Sequence, residues 1–389
     1  MTTPVAWPTL DVLTRDPHPA LASIRSTAPL AWVDSLGGWL VVGHAAAVRV
    51  MRDAGTFTVD DPRFSTSRVV GPSMLSTDGA EHDRHRQPFV SPFTPRSTRA
   101  HFVDFVDTEA TRLVAAVAPA GEAEIRTAIA GPLAAACMQR ALGLKAIDVG
   151  QLLTWYTDIV AAVAAVTSGS GVPEGSRLAY AALTDAVRST IATAGASSFL
   201  GEVAATAGTL TSTELLSDIA VLLFGGIETT EGMITNLVLH LLREGFDPAA
   251  LLHENDLLDA AIEESLRLEP AAAVVDRYAT RDSEIAGVRI RRGELVVVSL
   301  AGANRDPAVF EHPDRFDPGR PNLRKQLAFA QGPHVCLGAH LARLETRTAA
   351  RALLALPGVR LDPARTVEPS GLVFRKSAAV WVRWNRTVP

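Results

Sequence analysis

Cysteine is nearly absent from the sequence: 389 residues contain two, Cys137 and Cys336. Two thiols cannot build a multi-bridge disulfide framework or a four-thiolate zinc centre, so each is read individually. An excess of positive charge is also missing. Lys and Arg number 37 against 42 Asp and Glu, a net charge of −5, which excludes the global basic field that holds non-specific nucleic acid. Long hydrophobic runs are lacking too. The apolar stretches at 159–166 and 219–227 fall short of the about 20 residues that cross a bilayer, so no membrane association is expected. The opening MTTPVAWPTLDVLTRDPHP has acids and prolines where a signal peptide needs a basic segment and then an apolar one, which points to the cytoplasm. Repeats, low-complexity tracts and linker-like stretches are absent, and one domain over residues 1–389 is the expectation. What is present is apolar: 47% hydrophobic against 20% charged describes a soluble globular chain with a large core.

Alanine-rich segments of helical period run from about 98 to 269, with breaks at 119–121, 168–175 and 245–248. After Pro270 the texture becomes β-like, with short pieces at 284–290 and 294–299 separated by Gly293. A piece at 39–42 and another at 378–384 are candidates to pair with them. The fold class is therefore mainly α with a small β region.

Thr211-Ser212-Thr213-Glu214 reads as a helix start, with Thr211 as N-cap and Glu214 completing a capping box. The helix continues to about Arg243; at 1.5 Å per residue its roughly 30 residues extend about 45 Å. Its centre is Phe224-Gly225-Gly226-Ile227-Glu228-Thr229-Thr230. Each interior glycine costs about 1 kcal/mol relative to alanine, and Glu228 carries a desolvation penalty unless it is partnered. Two readings stand side by side: a helix crossing that needs small residues with Glu228 in a structural ion pair, or glycines that open space for a ligand beside a proton-relaying Glu228–Thr229 pair.

The stretch Phe329-Ala330-Gln331-Gly332-Pro333-His334-Val335-Cys336-Leu337-Gly338 precedes a strongly amphipathic helix. Cys336 thus stands at a helix N-terminus, where the dipole and unpaired amides favour a thiolate, a soft anionic ligand suited to iron. A buried small hydrophobe and a thiol nucleophile based by His334 are the competing readings. Cys137, within AAACMQRAL, is read as a small hydrophobe.

Together these residues resemble the cytochrome P450 family, specifically its soluble bacterial haem-thiolate monooxygenases, over nearly the whole chain. The resemblance implies the cytochrome P450 fold, with the long helix over a haem b group and Cys336 as axial ligand of the iron. Phe329 and Gly338 belong to the same signature, which departs from the family at Ala330, where glycine is usual. Glu264-Ser265-Leu266-Arg267 is similar to the family's Glu-x-x-Arg pair, and Arg320 to the second arginine of that structural network. By the same resemblance His82, Arg86, Arg277 and His334 serve the haem propionates. Gly225 and Gly226 leave room for dioxygen, and Glu228 and Thr229 deliver protons. Leu75, Leu222, Val274 and Phe374 fall in substrate-contact regions, whose apolar residues and alanines at 271–273 imply a roomy hydrophobic cavity.

The implied function is insertion of one oxygen atom from O2 into a small, mostly apolar organic substrate of secondary metabolism, by a monomer. The chain is too short to add flavin domains to a haem domain, so electrons are expected from a ferredoxin and its reductase. Arg324, Lys325, Arg343 and Arg347 are candidates for a basic docking patch. A peroxide-driven haem-thiolate enzyme, a non-catalytic haem or small-ligand binding protein and a helical thiol hydrolase are the alternatives.

Overall fold

The helical period of the middle of the chain is realised mainly as helix, interrupted by turns and by a short strand at Glu122–Glu124. In the computed structural model, residues 8–144, 147–167, 169, 171–193, 203 and 210–386 are described. The first seven residues of the opening segment, Ser168 and Ser170 of the 168–175 break, and most of 194–209 lie outside the described residues. Contacts gather the chain into two compact units: Met1–Val59, Gly232–Cys336 and Leu354–Asn385 in the first, and Asp60–Glu231, Leu337–Leu353 and Arg386–Pro389 in the second.

The first unit is organised by a five-stranded sheet in the order Leu30–Val33, Gly38–Val41, Leu295–Ser299, Val274–Ala279, Phe57–Thr58. Gly38–Val41 runs parallel to Leu295–Ser299, and the other neighbours are antiparallel. Because successive side chains point to opposite faces, Val41, Val296 and Val298 enter one apolar cluster with Met51 and Phe57. Leu40, Val42 and Val297 enter another with Leu13 and Leu21. The expected pairing of 39–42 with 294–299 is thus present. The pieces at 284–290 and 378–384 do not join this sheet. Ser283–Ile285 and Val288–Ile290 pair with each other across Ala286 and Gly287, both at positive φ (50° and 81°), the backbone that a two-residue hairpin needs. The C-terminal Trp381–Arg383 pairs instead with Arg360–Leu361.

The second unit is helical. Its helices include Gly79–Val90, Gly131–Ala141, Val149–Thr167 and Glu174–Thr193. Val149–Thr167 buries Leu152, Tyr156, Ile159, Ala162, Val163 and Val166, a three-and-four spacing that makes one face, and packs against the Gly131–Ala141 and Glu174–Thr193 helices. By length and composition it is the one described helix able to cross a membrane. The apolar stretch at 159–166 is the C-terminal part of this helix, and a core helix of a soluble protein meets the same length and composition.

The long helix spans Ser212–Arg243 without interruption at Gly225–Gly226. It begins in a capping box: Glu214 N–H donates to Thr211 Oγ1 at 3.2 Å and Thr211 N–H donates to Glu214 Oε2 at 2.7 Å, which satisfies two orphan amides. It ends where Gly245 turns to φ +70° and Phe246 N–H reaches back to Leu241 O at 3.1 Å, the left-handed stop that glycine permits.

Candidate active site

The loop bearing Cys336 is fixed by its own backbone. Cys336 N–H donates to Phe329 O at 2.9 Å, Val335 N–H to Gly332 O at 3.1 Å and Ala330 N–H to Leu327 O at 2.9 Å, around a 3-10 turn at Gly332–His334. Gly332 has φ +74°, and a β-carbon there would stand 2.5 Å from Met51 O, so neither its backbone nor its space admits a side chain. Ala330 has φ +58°. The position where glycine was expected is one that strains an L side chain, by about 1–2 kcal/mol. Cys336 is exposed and Cys137 buried. The helix Ala339–Leu354 starts three residues after Cys336. Phe329 and His334 are half-buried, and a β-carbon on Gly338 would meet nothing within 4 Å.

Leading into this loop, Glu264, Arg267 and Arg320 meet in one buried network. Arg267 forks onto Glu264 at 2.6 and 2.8 Å, and Arg320 Nε donates to Glu264 Oε1 at 2.8 Å. Arg267 also donates to Asn304 O, Pro313 O and Arg315 O. Glu264 and Arg267 are fully buried, and burial holds the Arg267 guanidinium below its ordinary value, opposed by Glu264. An i,i+3 pair worth a few tenths of a kcal/mol on a helix surface becomes here, with both partners desolvated, a network whose halves cannot be removed separately without about 3–5 kcal/mol of cost.

The centre of the long helix separates residues that the sequence presents together. From Leu215 to His240 every residue is buried except Leu222, Gly225, Gly226 and Thr229. Their spacing of three, one and three places them on a single stripe. A β-carbon on Gly225 would meet nothing within 4 Å, whereas one on Gly226 would stand 2.9 Å from Met138 Cγ. The two glycines therefore have different tasks: Gly225 leaves space open, and Gly226 admits the Met138 side chain. Thr229 lies on the open stripe, with Oγ1 donating to Gly225 O at 2.7 Å. Glu228 is buried and accepts a hydrogen bond from the Tyr156 hydroxyl. Burial first and then the Glu228 charge push the Tyr156 phenol far up, so it remains a donor.

His82 is buried and Arg86 half-buried, four residues apart on the Gly79–Val90 helix. Arg277 is buried on the strand Val274–Ala279, with Nη1 donating to Asp276 O at 2.7 Å. Burial raises the neighbouring Asp276 carboxyl to about 6, with the Arg277 charge opposing. Of the substrate-contact candidates, Val274 and Phe374 belong to segments that are zipped together. Ala272 bridges Phe374, Ala273 N–H donates to Val373 O and Arg375 N–H to Ala271 O, both at 2.8 Å. Leu75 and Leu222 are half-buried residues of the second unit.

Three arrangements escaped the sequence reading. Arg375, buried, donates to Glu269 Oε1 at 2.6 Å and to Pro369 O at 2.8 Å, while His18 Nε2 lies 2.9 Å from Glu269 Oε2; this anchors the strand that follows Phe374. Tyr156 reaches Glu228 from another helix. His85 and Asp218 form a buried pair at 2.7 Å. A lone acid within the apolar run 215–224 was the signal available for Asp218.

Residues 248–371 match the family model described as Cytochrome P450. The chain is 32% identical over 386 residues to cytochrome P450 monooxygenase PikC of Streptomyces venezuelae, covering 95% of this chain and 92% of that protein. It is 33% identical to pentalenic acid synthase of Streptomyces avermitilis, covering 92% and 91%. Among solved structures, the cytochrome P450 enzyme CxnD for C–S bond formation in chuangxinmycin biosynthesis superposes with a TM-score of 0.88 at 27% identity, over 100% of both chains.

Proposed function

Because the chain belongs to the cytochrome P450 family and its relatives are haem-iron monooxygenases of secondary metabolism, we propose that it inserts one atom of dioxygen into a small, mostly apolar organic substrate, acting as a single cytoplasmic domain that holds haem b. Its residues fit that group. Cys336 offers an exposed thiol on a loop of fixed shape, and Gly225 leaves an open place on the accessible stripe of the long helix. Cys336 would ligate the iron, and His82, Arg86, Arg277 and His334 would serve the propionates. When bound, the haem would supply dioxygen activation, a chemistry that thiolate ligation from Cys336 would favour.

The protein's own part is to position and to move protons. Thr229 presents its hydroxyl oxygen on the open stripe while its proton is held by Gly225 O. Glu228, which accepts from the Tyr156 hydroxyl, is the buried acid one residue away. Leu222, Val274, Phe374 and Leu75 supply apolar contact, which favours substrates without charged anchors. Electrons come from separate partners, a ferredoxin and its reductase, with Arg324, Lys325, Arg343 and Arg347 as the cations flanking the axial loop in sequence.

The observation that carries this reading is the stripe Leu222, Gly225, Gly226 and Thr229, left accessible where every other residue from Leu215 to His240 is buried. The test is spectroscopic. The reduced protein with carbon monoxide should show the red-shifted Soret band of thiolate-ligated haem, and Cys336→Ala should lose it. Turnover with ferredoxin, reductase and dioxygen should exceed turnover with peroxide; the reverse would establish the peroxide-driven alternative.

A further inference from the structure

Asp218 lies one turn before Leu222, on the same stripe of the long helix that opens at Leu222, Gly225, Gly226 and Thr229, yet it is fully buried. An acid in this apolar run must be held, and it is held twice. His85 Nδ1 lies 2.7 Å from Asp218 Oδ2, and Met74 N–H donates to Asp218 Oδ1 at 2.6 Å. The preceding residue adds a second tie: Ser217 Oγ donates to Val70 O at 2.6 Å, and the Tyr180 hydroxyl donates to the same oxygen at 2.9 Å. The segment from Val70 to Thr77, with half-buried Leu75 inside it, is therefore pinned to the long helix at Val70 and at Met74, beside the end of the open stripe.

His85 is 1% exposed and faces charge from two elements. From the long helix come Asp218 and Glu214, the latter 3.7 Å from Nε2. From its own helix comes Arg84, with Nη2 at 3.5 Å from Nε2, itself bridging Glu81 at 2.6 Å and Glu214 at 2.7 Å. Burial raises the Asp218 carboxyl, and the bonds from His85 and Met74 oppose that rise. Apolar residues in place of such a buried pair are often neutral or stabilising, so stability alone does not account for it; a carboxylate oriented by an imidazole and aimed at one backbone amide fixes a loop.

We propose that His85 and Asp218 are positioning residues for ligand selection: the imidazole orients the carboxylate, the carboxylate holds the Met74 amide, and Leu75 is thereby set as a wall at the Asp218 end of the open stripe. This rests on the functional reading above, in which that stripe faces the substrate.

The test uses the full-length, haem-loaded protein with His85→Gln, Asp218→Asn and the apolar double variant His85→Leu/Asp218→Leu, which removes the buried charges together and so guards against simple misfolding. Two readouts are taken: hydrogen exchange of peptides covering 70–77, and dissociation constants for imidazole and for a bulky triphenylmethyl azole from the Soret shift. Loss of a buried hydrogen bond to a loop amide should speed exchange at 70–77 by about tenfold. It should change the affinity for the bulky azole about fivefold or more and that for imidazole less than about twofold. Unchanged exchange in the double variant, or equal change for both azoles, overturns the proposal. A wild-type protein without a thiolate-haem Soret band defeats the functional reading instead, and the exchange measurement still decides whether the pair tethers the loop.

Discussion

The Met138 side chain fills the place where a β-carbon on Gly226 would stand, with its Cγ 2.9 Å from that position, while a β-carbon on the adjacent Gly225 would meet nothing within 4 Å. Two neighbouring glycines in one helix are thus distinguishable by experiment. Gly226→Ala should cost about 1–3 kcal/mol by overpacking, and a double-mutant cycle with Met138→Ala should recover most of it. Gly225→Ala should instead gain about 0.5–1 kcal/mol of helix stability while weakening azole binding. Denaturant midpoints and Soret titrations of the four variants check both halves.

Tyr156 and Glu228 give a second prediction. Tyr156→Phe keeps the ring in the core but removes the donor to a buried carboxylate, which should destabilise the protein by about 1–3 kcal/mol. If Glu228 takes part in proton delivery, the same variant should alter the fraction of consumed electrons that appears in product. A product-to-electron ratio equal to wild type would confine Tyr156 to a structural role.

Ala330 occupies a left-handed backbone at φ +58°, and Ala330→Gly should remove that strain. The expected gain is about 1 kcal/mol, the left-handed penalty less the extra chain entropy of glycine in the unfolded state. Thermal unfolding of the haem-loaded protein measures it. A loss of stability would show that the methyl packs more favourably than the strain costs.

Acid should weaken the fold in two stages. Burial lowers the His240 imidazole to about 4, and its Nδ1 lies 2.9 Å from Ser265 Oγ. The unfolded chain takes up that proton near pH 6.5, so stability falls as pH drops from about 6.5 to 4. Glu269 is held at about 2, where burial alone would raise it, because His18, Arg375 and Arg305 outweigh that burial. Its contribution is complete above about pH 4.5 and is lost as pH falls toward 2, each stage amounting to on the order of 3 kcal/mol. Denaturant midpoints at pH 7, 5 and 4 should decline, and His240→Leu should flatten the first stage.

Much of the architecture is local and was legible for that reason. The capping box joins Thr211 to Glu214, three residues apart, and the apolar period carries the long helix across its glycines. The Glu264–Arg267 pair is likewise three residues apart, and only its depth of burial needed the fold. The arrangements that escaped are between distant partners: His85 and Asp218 are 133 residues apart, Arg375 and Glu269 106, and Tyr156 and Glu228 72. A single sequence contains no distance information for such pairs. Strand pairing fails in the same way. The piece at 378–384 has β character, but its partner, Arg360–Leu361, is two residues long and shows no period of its own. Gly225 and Gly226 read alike because identical residues reveal their difference only through what faces them.

The contrast between the two cysteines makes the chain its own occupancy gauge. Cys137 is buried and its thiol is pushed well up by that burial, with Glu345 beside it, so an alkylating reagent at neutral pH has Cys336 as its one accessible target in native protein. Haem-free protein should consume one equivalent of maleimide per chain, and fully loaded protein none, since iron holds the sulfur. Thiol titration alone then counts the fraction of any preparation that carries its cofactor, without reference to colour.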